Sequence, residues 1–514
     1  MASAAPAAES PTGLPWNIVL LAGLVLALSN FMVVLDLTIA NVSVAHIAGG
    51  LGISPSEGTW VITSYAVAEA ICVPLTGWLA RRFGEVRVFV AGMIGFGLFS
   101  FLCGIAPSLG ALVLFRIGQG FAGGPIMPIS QTLLLRIFPK DKHAMAMGIW
   151  SMTTITAPIF GPILGGTISD NWGWHWIFFI NVPIAIGCSL AAVALLRRAE
   201  SATERMPVDV VGLGLLVTAV GALQIMLDLG RERDWFGSPF IVTLAIIAAI
   251  GFAFLIVWEL FDRHPIVDLR VFRHSGFTFS VLALVFTYGV FFATLVIIPQ
   301  WLQSQLGYTA TWVGYAMAWN GVAAVFLAPV AAMLSQKVDP RILVSGGILW
   351  LAGTSLIRVM WWTTGADFWT LALPQLIQGA GMPFFFVPLT TLALGAVEAN
   401  EVASAAGVMN FLRTMSGAVA TAIGVTMWEN GAQGTRATLT GVLHGTSSTM
   451  QTLQSRGFTV EQSRQFVSQL VESQAIAITT VNLFELFGAI FVVAAAIIWL
   501  APKPKHAVEL GASH

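Results

Sequence analysis

Residues 24–42 read LVLALSNFMVVLDLTIANV, an apolar run long enough to lie in a lipid bilayer that nevertheless contains an aspartate at position 36. A charged side chain at mid-bilayer depth costs about 2.5–3.5 kcal/mol on insertion scales, so such residues are rare and either pair with a partner or carry function. Ser29, Asp36 and Ser43 share one helical face. The run therefore predicts a membrane span whose polar face points toward other helices.

The composition of the whole chain indicates a membrane protein. The 514 residues are 57% hydrophobic and 10% charged, with a mean hydropathy of +0.83, whereas soluble domains are about 25% charged. The net charge is −1 and no basic block is present, which argues against nucleic acid as a partner. The sequence has no HExxH, no GxSxG and no His/Cys cluster, so we predict that the protein is not an enzyme.

Hydropathy predicts fourteen spans of the length that a helix needs to cross the hydrocarbon, about 20 residues. They cover residues 16–38, 58–79, 87–106, 109–134, 144–168, 175–196, 209–228, 239–261, 276–298, 310–334, 341–363, 368–393, 403–427 and 478–501. Most lysines and arginines between the spans fall on the side of the N-terminus, which predicts that both termini are cytoplasmic. The predicted class is an all-α polytopic membrane protein.

A constant offset of 259 residues relates two parts of the sequence. RIGQG (116–120) aligns with QLIQG (375–379), and Gly148 aligns with Gly407. The offset predicts two six-helix bundles with two inserted helices between them, an arrangement typical of secondary transporters; coincidence among glycine-rich helices is the alternative. The predicted division is a disordered tail 1–15, an N-terminal bundle 16–200, the inserted pair 201–265, a C-terminal bundle 276–501 with an outer loop 429–477, and a tail 502–514.

The stretch APIFGPILGG (157–166) lies within the fifth predicted span. Each proline removes a backbone donor and loosens the helix, while glycines spaced four apart let another helix approach closely. We predict a mechanical element of a rocking bundle, with plain helix packing as the alternative. Its residues are Pro158, Gly161, Pro162, Gly165 and Gly166.

Two further stretches carry charged residues. LFRIGQGFAGG (114–124) places Arg116 inside the fourth span, where an arginine needs a partner and a carboxylate is the obvious one; snorkelling to an interface is the alternative.

GWLARRFGEVR (77–87) joins the second and third spans. Its Gly77 and Gly84 permit a tight turn, and Arg82 with its neighbours can pair with helix C-termini. A simple positive anchor is the plainer interpretation.

These three motifs, in this order and spacing, resemble the major facilitator superfamily over essentially the whole chain. LDLTIANV (35–42), together with residues 60–80 and 176–184, is similar to the fourteen-span drug:proton antiporters, and in particular to the EmrB-type multidrug efflux pumps. The resemblance implies the major facilitator fold and the bacterial inner membrane. Two positions depart from the family: Arg81 stands where its loop motif usually has Asp, and Glu69 stands where a neutral polar residue is expected.

The resemblance also implies an antiporter that exports lipophilic drugs or toxins, driven by a proton gradient and without a cofactor. Asp36 is the first choice for proton coupling, acting against Arg116, and Glu69 is the second choice or a contact for cationic substrates. A fixed bridge between Asp36 and Arg116 is the structural alternative. The sequence has no GxxxxGK[ST] motif, so ATP-driven transport by this chain alone is not expected.

We expect aromatic and polar side chains to line an apolar cavity between the halves, because such a cavity suits diverse lipophilic compounds. The predicted substrate contacts are Asn41, Tyr65, Trp150, Phe160, Gln300, Trp319, Asn320, Phe385, Asn410 and Arg413.

The predicted outer loop 429–477 is longer than a usual connection. Within it, Phe466, Leu470 and Val471 follow helical spacing and predict an amphipathic helix with a docking face. Pumps of the type resembled work with a periplasmic adaptor and, through it, an outer-membrane channel, so we expect this loop to contact the adaptor. A flexible cap over the bundle is the alternative. The alternative function is a stand-alone major facilitator exporter of a specific metabolite or siderophore.

Overall fold

The structure is a computed structural model that describes residues 14–204, 207–262, 265–442 and 446–503. Within these ranges the regular secondary structure is helical throughout and no β-strand occurs. The predicted tails 1–15 and 502–514 lie almost entirely outside the described residues.

Thirteen helices in the described ranges are long and apolar enough to cross a membrane, and a bent helix makes the fourteenth. We number them α1 Trp16–Leu51, α2 Trp60–Phe83, α3 Glu85–Gly104, α4 Leu109–Ile137, α5 His143–Trp172, α6 Trp176–Ala199, α7 Val210–Leu229, α8 Pro239–Phe261, α9 Ser275–Leu306, α10 Ala310–Leu334, α11 Pro340–Trp361, α12 Phe368–Gly395, α13 Val402–Val442 and α14 Val460–Ile497. Two short helices, Pro55–Gly58 and Thr446–Ser455, lie between spans. The prediction of an all-α polytopic membrane protein is confirmed.

Capping residues and glycines set where several helices begin and end. Asp209 and Asp367 each accept a hydrogen bond from the backbone N–H three residues on, at 2.8 and 3.1 Å, and so start α7 and α12. Hydrogen bonds from Thr370 hold the pKa of Asp367 below its usual value. The side-chain hydroxyl of Thr370 has the larger effect and its backbone N–H the smaller one. Gly52 and Gly307 adopt φ angles of 68° and 67° and end α1 and α9.

Helix packing separates two bundles and a pair. In the first bundle α1 packs on α5, α2 and α3 pack on α4, and α3 packs on α6. In the second bundle α9 packs on α13, α10 and α11 pack on α12, and α11 packs on α14. Helices α7 and α8 pack on each other, and α7 also lies against α2. The two bundles meet where α5 contacts α10 and where α2 and α4 contact α13.

The start of α1 and the end of α14 lie on one face of the membrane region, which we call the terminal face. There the Lys142 ammonium lies 3.8 Å from the centre of the Trp16 ring, and Arg341 donates a hydrogen bond of 3.0 Å to the carbonyl of Ala501. The opposite, distal face carries the turns that follow α1, α7, α9 and α13. An even number of crossings accounts for the shared face of the two ends.

Helix α5 is the bent span. Its two parts, Lys140–Pro158 and Phe160–Trp172, differ in direction by 45°. Pro158 and Pro162 lie inside this helix, and each removes a backbone donor from it. A proline pair is a recognised cause of a sharp kink.

Two glycines let α5 approach α1 at backbone level. A Cβ atom at Gly165 would lie 2.9 Å from the carbonyl oxygen of Ile39, and one at Gly161 would overlap the side chain of Thr38. Close approach of this kind is what small residues permit in membrane helices. Two of the three glycines of the predicted mechanical motif, Gly161 and Gly165, therefore lie in the contact between α5 and α1.

The stretch GWLARRFGEVR contacts the second bundle on the terminal face. Gly77 faces Ser404 of α13 so closely that a Cβ atom would overlap it. Gly84 has a φ of 91° and ends α2, a conformation that favours glycine. The Arg82 guanidinium lies 5.2 Å from the centre of the Trp78 ring. The loop is thus part of the seam between the bundles.

The predicted outer loop 429–477 is largely helical. Helix α13 continues to Val442 and α14 begins at Val460, with Thr446–Ser455 between them. At about 1.5 Å per residue the 41 residues of α13 span roughly 60 Å, about twice the hydrocarbon thickness. We call the parts of α13 and α14 that lie within residues 429–477 the arm. The helix predicted at Phe466, Leu470 and Val471 is confirmed as part of α14. The continuation of α13 was not predicted, because hydropathy finds the edge of the membrane and not the end of a helix.

The α1–α5 contact supplies a matched pair of substitutions. Gly165→Ala should destabilise the protein by about 1–3 kcal/mol through overpacking against Ile39. Gly166→Ala should leave stability equal or slightly higher, because no described atom lies within 4 Å of its added Cβ. The apparent melting temperatures of the two purified variants in detergent compare these effects. Equal melting temperatures would show that α1 and α5 are not packed at backbone level here.

Candidate functional site

A cavity of about 370 Å³ lies between the two bundles in the distal half of the membrane region. Its wall is formed by α1, α2, α7, α9 and α13, with one residue from α4. The volume falls within the range of about 300–1,000 Å³ that small-molecule sites occupy. Apolar side chains dominate the wall, and its charged and amide side chains are Asn41, Glu69, Gln224, Asp228, Arg231, Gln300 and Arg413.

The bundles touch directly on the terminal side of this cavity. Asn410 of α13 donates a hydrogen bond of 2.5 Å to Gln131 of α4. The Trp150 ring of α5 stacks on Phe386 of α12, with ring centres 6.1 Å apart. At the distal end the lining reaches Trp235, beyond the last residue of α7. The cavity wall therefore extends to the turn after α7 on the distal side, whereas the terminal side is closed by these contacts.

Asp36 lies in a fully buried polar cluster of the N-terminal bundle. Its Oδ2 accepts a hydrogen bond of 2.6 Å from Arg116, and its Oδ1 accepts hydrogen bonds from Gln119 at 3.0 Å and Asn181 at 2.7 Å. Arg116 also donates to the carbonyl of Val61 at 3.0 Å. The Asp36 and Arg116 side chains are both 0% exposed. The cluster joins α1, α2, α4 and α6.

Glu69 and Arg413 bring opposite charges to the cavity wall from the two bundles. Glu69 of α2 is 8% exposed and Arg413 of α13 is 3% exposed, and both line the cavity. The Arg413 guanidinium lies 5.4 and 5.3 Å from the centres of the Trp150 and Tyr288 rings and donates to the Met127 sulfur. Within the described ranges neither side chain forms an ion pair shorter than 4 Å.

The predicted substrate contacts divide into three groups. Asn41, Gln300 and Arg413 lie on the cavity wall. Phe160 is 44% exposed and packs on Phe31, and Trp319 packs on Trp369 in a separate aromatic groove. Hydropathy gives the extent of a span and not the rotation of its helix, so sequence reasoning could not separate these groups. The residues buried in helix packing instead are Tyr65, Trp150, Asn320, Phe385 and Asn410.

A second buried arginine lies in the C-terminal bundle. Arg358 is 2% exposed and donates to the side-chain oxygens of Gln375, at 3.0 Å, and of Gln378. The centres of the Trp362 and Phe484 rings lie 5.5 and 5.2 Å from its guanidinium. In the part of the chain that the structure describes, no carboxylate pairs with Arg358. The offset of 259 residues aligns Gln375 with Arg116. The two bundles therefore hold polar clusters at related positions, but only the N-terminal cluster balances its arginine with a carboxylate.

Sequence reasoning missed the contribution of α7 to the cavity. Gln224 and Asp228 lie one turn apart on this helix and line the wall with Arg231. Asp228 is the last residue of the seventh predicted span, and none of the predicted substrate contacts lies on the inserted pair. The signal that could have found it is the same as for Asp36: a carboxylate at the end of an otherwise apolar run, with an amide one turn away.

Two bundles around a central cavity, with polar clusters buried among their helices, define a membrane transporter and not an enzyme. The chain belongs to the Major Facilitator Superfamily, whose family model matches residues 26–421. The resemblance that the sequence motifs indicated is thereby confirmed.

Individual relatives match almost the whole chain. It is 44% identical over 483 residues to the multidrug export protein EmrB of Escherichia coli strain K12, covering 93% of this chain and 94% of that protein. It is 43% identical over 488 residues to the fatty acid resistance protein FarB of Neisseria gonorrhoeae, covering 94% and 96%. Among solved structures, a double tryptophan variant of XylE matches with a TM-score of 0.61 at 15% identity over 95% of this chain and 97% of that chain, a likeness of fold alone.

The Asp36 cluster predicts a strongly non-additive double-mutant cycle. Asp36→Leu and Arg116→Met should each destabilise the protein by about 3–5 kcal/mol, because each leaves one buried charge without its partner. The double variant should lose less than the sum of the two single losses. Unfolding of the purified variants in detergent measures the three values. Additive losses would mean that the pair contributes no mutual stabilisation.

Proposed function

We propose that this transporter is a multidrug efflux antiporter of the bacterial inner membrane, which exchanges lipophilic toxic compounds for protons by alternating access. We further propose that it acts as the inner-membrane part of a tripartite pump. The observation that carries the proposal is the apolar cavity between the bundles, with the carboxylate of Glu69 on its wall. The relatives named for multidrug export and fatty acid resistance support lipophilic substrates.

Proton coupling is proposed for Asp36 and Glu69. Glu69 reaches the cavity and faces the attraction of Arg413 across the seam, so its protonation would change the charge balance between the bundles. Asp36 can exchange a proton only when its hydrogen bonds open, which links it to movement of α1. One proton that moves down 100 mV releases about 2.3 kcal/mol. At about 1.4 kcal/mol per tenfold ratio, one proton supports a roughly 40-fold concentration ratio.

The orientation follows from the positive charges. Arg81, Arg82, Arg136 and Lys142 lie at loops of the terminal face, and the positive-inside rule assigns that face to the cytoplasm. The distal face, toward which the cavity opens, is then periplasmic. An outward-open cavity in this state is what an exporter adopts when it releases its substrate.

The arm is the proposed contact for a periplasmic adaptor, and through it an outer-membrane channel. It is an antiparallel helix pair in which Arg436 of α13 donates to Ser468 of α14 at 3.1 Å. Phe466 and Leu470 lie one turn apart on α14 and are 42% and 47% exposed. Exposed apolar side chains on an extended helix are suited to another helix packing on them.

Reconstituted vesicles test the antiport. Vesicles loaded with a lipophilic dye should expel it when an inward proton gradient is imposed, and Glu69→Gln should reduce this gradient-driven export at least tenfold. Asp36→Asn should abolish it. A Glu232→Gln variant serves as the control, because Glu232 is exposed and lies outside the cavity wall. Transport that ignores both the pH difference and the membrane voltage would refute proton coupling.

The arm supplies a test that separates the tripartite pump from a stand-alone exporter of a metabolite or siderophore. Phe466→Ser combined with Leu470→Ser should reduce resistance of cells that carry the adaptor at least fourfold, yet leave transport in vesicles unchanged. Gln465→Ser combined with Gln469→Ser is the matched control on a neighbouring face of the same helix. If both double variants retain full resistance, the arm is not the adaptor contact.

A further inference from the structure

The inserted helix α7 brings a carboxylate to the distal mouth of the cavity. Asp228 lies on the wall in the last turn of α7, next to Leu227 and one turn after Gln224. It lies beside Thr63 of α2, and Glu69 is six residues further along that helix toward the membrane centre. At about 1.5 Å per residue, Asp228 is roughly 9 Å closer to the distal face than Glu69.

Among the described residues, the hydrogen-bonding neighbours of the Asp228 carboxylate are neutral. Gln224 donates a hydrogen bond of 3.0 Å to its Oδ1, and the hydroxyl of Thr63 lies nearby. Across the ranges 14–204, 207–262, 265–442 and 446–503, no basic side chain forms an ion pair with Asp228. A carboxylate on an apolar wall without a cation is electrostatically incomplete.

The other charges of the wall already have counterparts. Arg231, one turn after Asp228, lies 3.5 Å from Glu429 of α13. Glu69 shares the wall with Arg413, which belongs to the other bundle. Among the described residues no basic side chain lies within ion-pair distance of Asp228, and a positively charged substrate would balance its charge.

An aromatic ring is held at the same mouth by a strained turn. Asp234 and Trp235 have φ angles of 59° and 43°, a left-handed conformation that side-chain-bearing residues rarely adopt. The backbone N–H of Trp235 donates a hydrogen bond of 2.7 Å to the backbone carbonyl of Gly230. A Cβ atom on Gly230 would overlap the Trp235 ring. Trp235 lines the cavity with Asp228. Strain of this kind persists where the surroundings fix it, and it clusters at binding sites.

We propose that Asp228 and Trp235 form a binding station for lipophilic organic cations, such as quaternary ammonium and phosphonium compounds, at the distal mouth of the cavity. The carboxylate neutralises the charge, the indole ring offers a cation–π contact, and the apolar wall receives the substituents. A cation that leaves the level of Glu69 meets Asp228 before it reaches solvent. This inference rests on the proposed function, since it names one substrate class of the proposed pump.

Binding to the purified full-length chain in detergent tests the station. Asp228→Asn should raise the Kd of tetraphenylphosphonium at least tenfold and leave the Kd of the uncharged dye Nile red within twofold. Trp235→Ala should raise the Kd of tetraphenylphosphonium three- to tenfold, and Trp235→Phe should restore most of the affinity. Glu232→Gln, a carboxylate-to-amide exchange at an exposed position four residues away, should leave both constants unchanged.

The outcomes separate this station from general electrostatics and from loss of structure. An unchanged tetraphenylphosphonium Kd in Asp228→Asn, or an equal loss in Glu232→Gln, would overturn the proposal. If Asp228→Asn does not yield folded protein, Asp228→Glu and the Trp235 pair decide: weak binding in Trp235→Ala and recovery in Trp235→Phe support the station, and equal binding in both overturns it. Failure of the chain to expel any compound from cells would refute the proposed pump, whereas binding in detergent does not depend on export.

Discussion

The buried contact between Asp36 and Arg116 ties the N-terminal bundle together. In hydrocarbon there is no water to take over a hydrogen bond, so a polar side chain must be satisfied by its own protein. Asp36 accepts hydrogen bonds from α4 and α6, and Arg116 reaches back to α2. Rotation of any one of these helices would break a bond that nothing in the lipid could replace. This requirement fixes the rotation of α1 and hence which of its residues face the cavity.

The two bundles solve the same problem with different charges. The N-terminal cluster balances an arginine with an aspartate, whereas the C-terminal cluster surrounds Arg358 with amide oxygens and aromatic rings. A guanidinium does not deprotonate in proteins, so the C-terminal cluster has no group that titrates. The carboxylates that line the cavity in the described ranges, Glu69 and Asp228, belong to α2 and α7. The C-terminal bundle contributes a fixed positive charge through Arg413.

The sequence predicts the spans well because a helix in lipid must be apolar over a fixed length. It also predicts that Asp36 pairs with Arg116, because a buried arginine without a partner would be costly. It does not predict which side of a span faces the cavity. Phe385 has the same apolar character as the apolar residues of the cavity wall, and Asn320 has the same polar character as its amides. Both are nevertheless buried in helix packing. The position of Asp228 at the cavity could not be predicted, because hydropathy gives the end of a span but not the helices that pack beside it. Only the packing of α7 on α2 places it at the mouth.

The contacts that close the terminal side differ in kind from those inside each bundle. Within the N-terminal bundle a charged pair is sealed from solvent, but the contacts across the seam are an amide pair at Asn410 and Gln131, stacked rings, glycine approaches and the Arg413 guanidinium beside the Trp150 ring. The ion pair from Arg81 to Asp268 is long, at 3.8 Å, and partly exposed, so it contributes little. A transporter that alternates needs two states of similar free energy. Seam contacts without a close, buried ion pair would let the bundles part, while the charged pair inside the N-terminal bundle would keep that bundle intact.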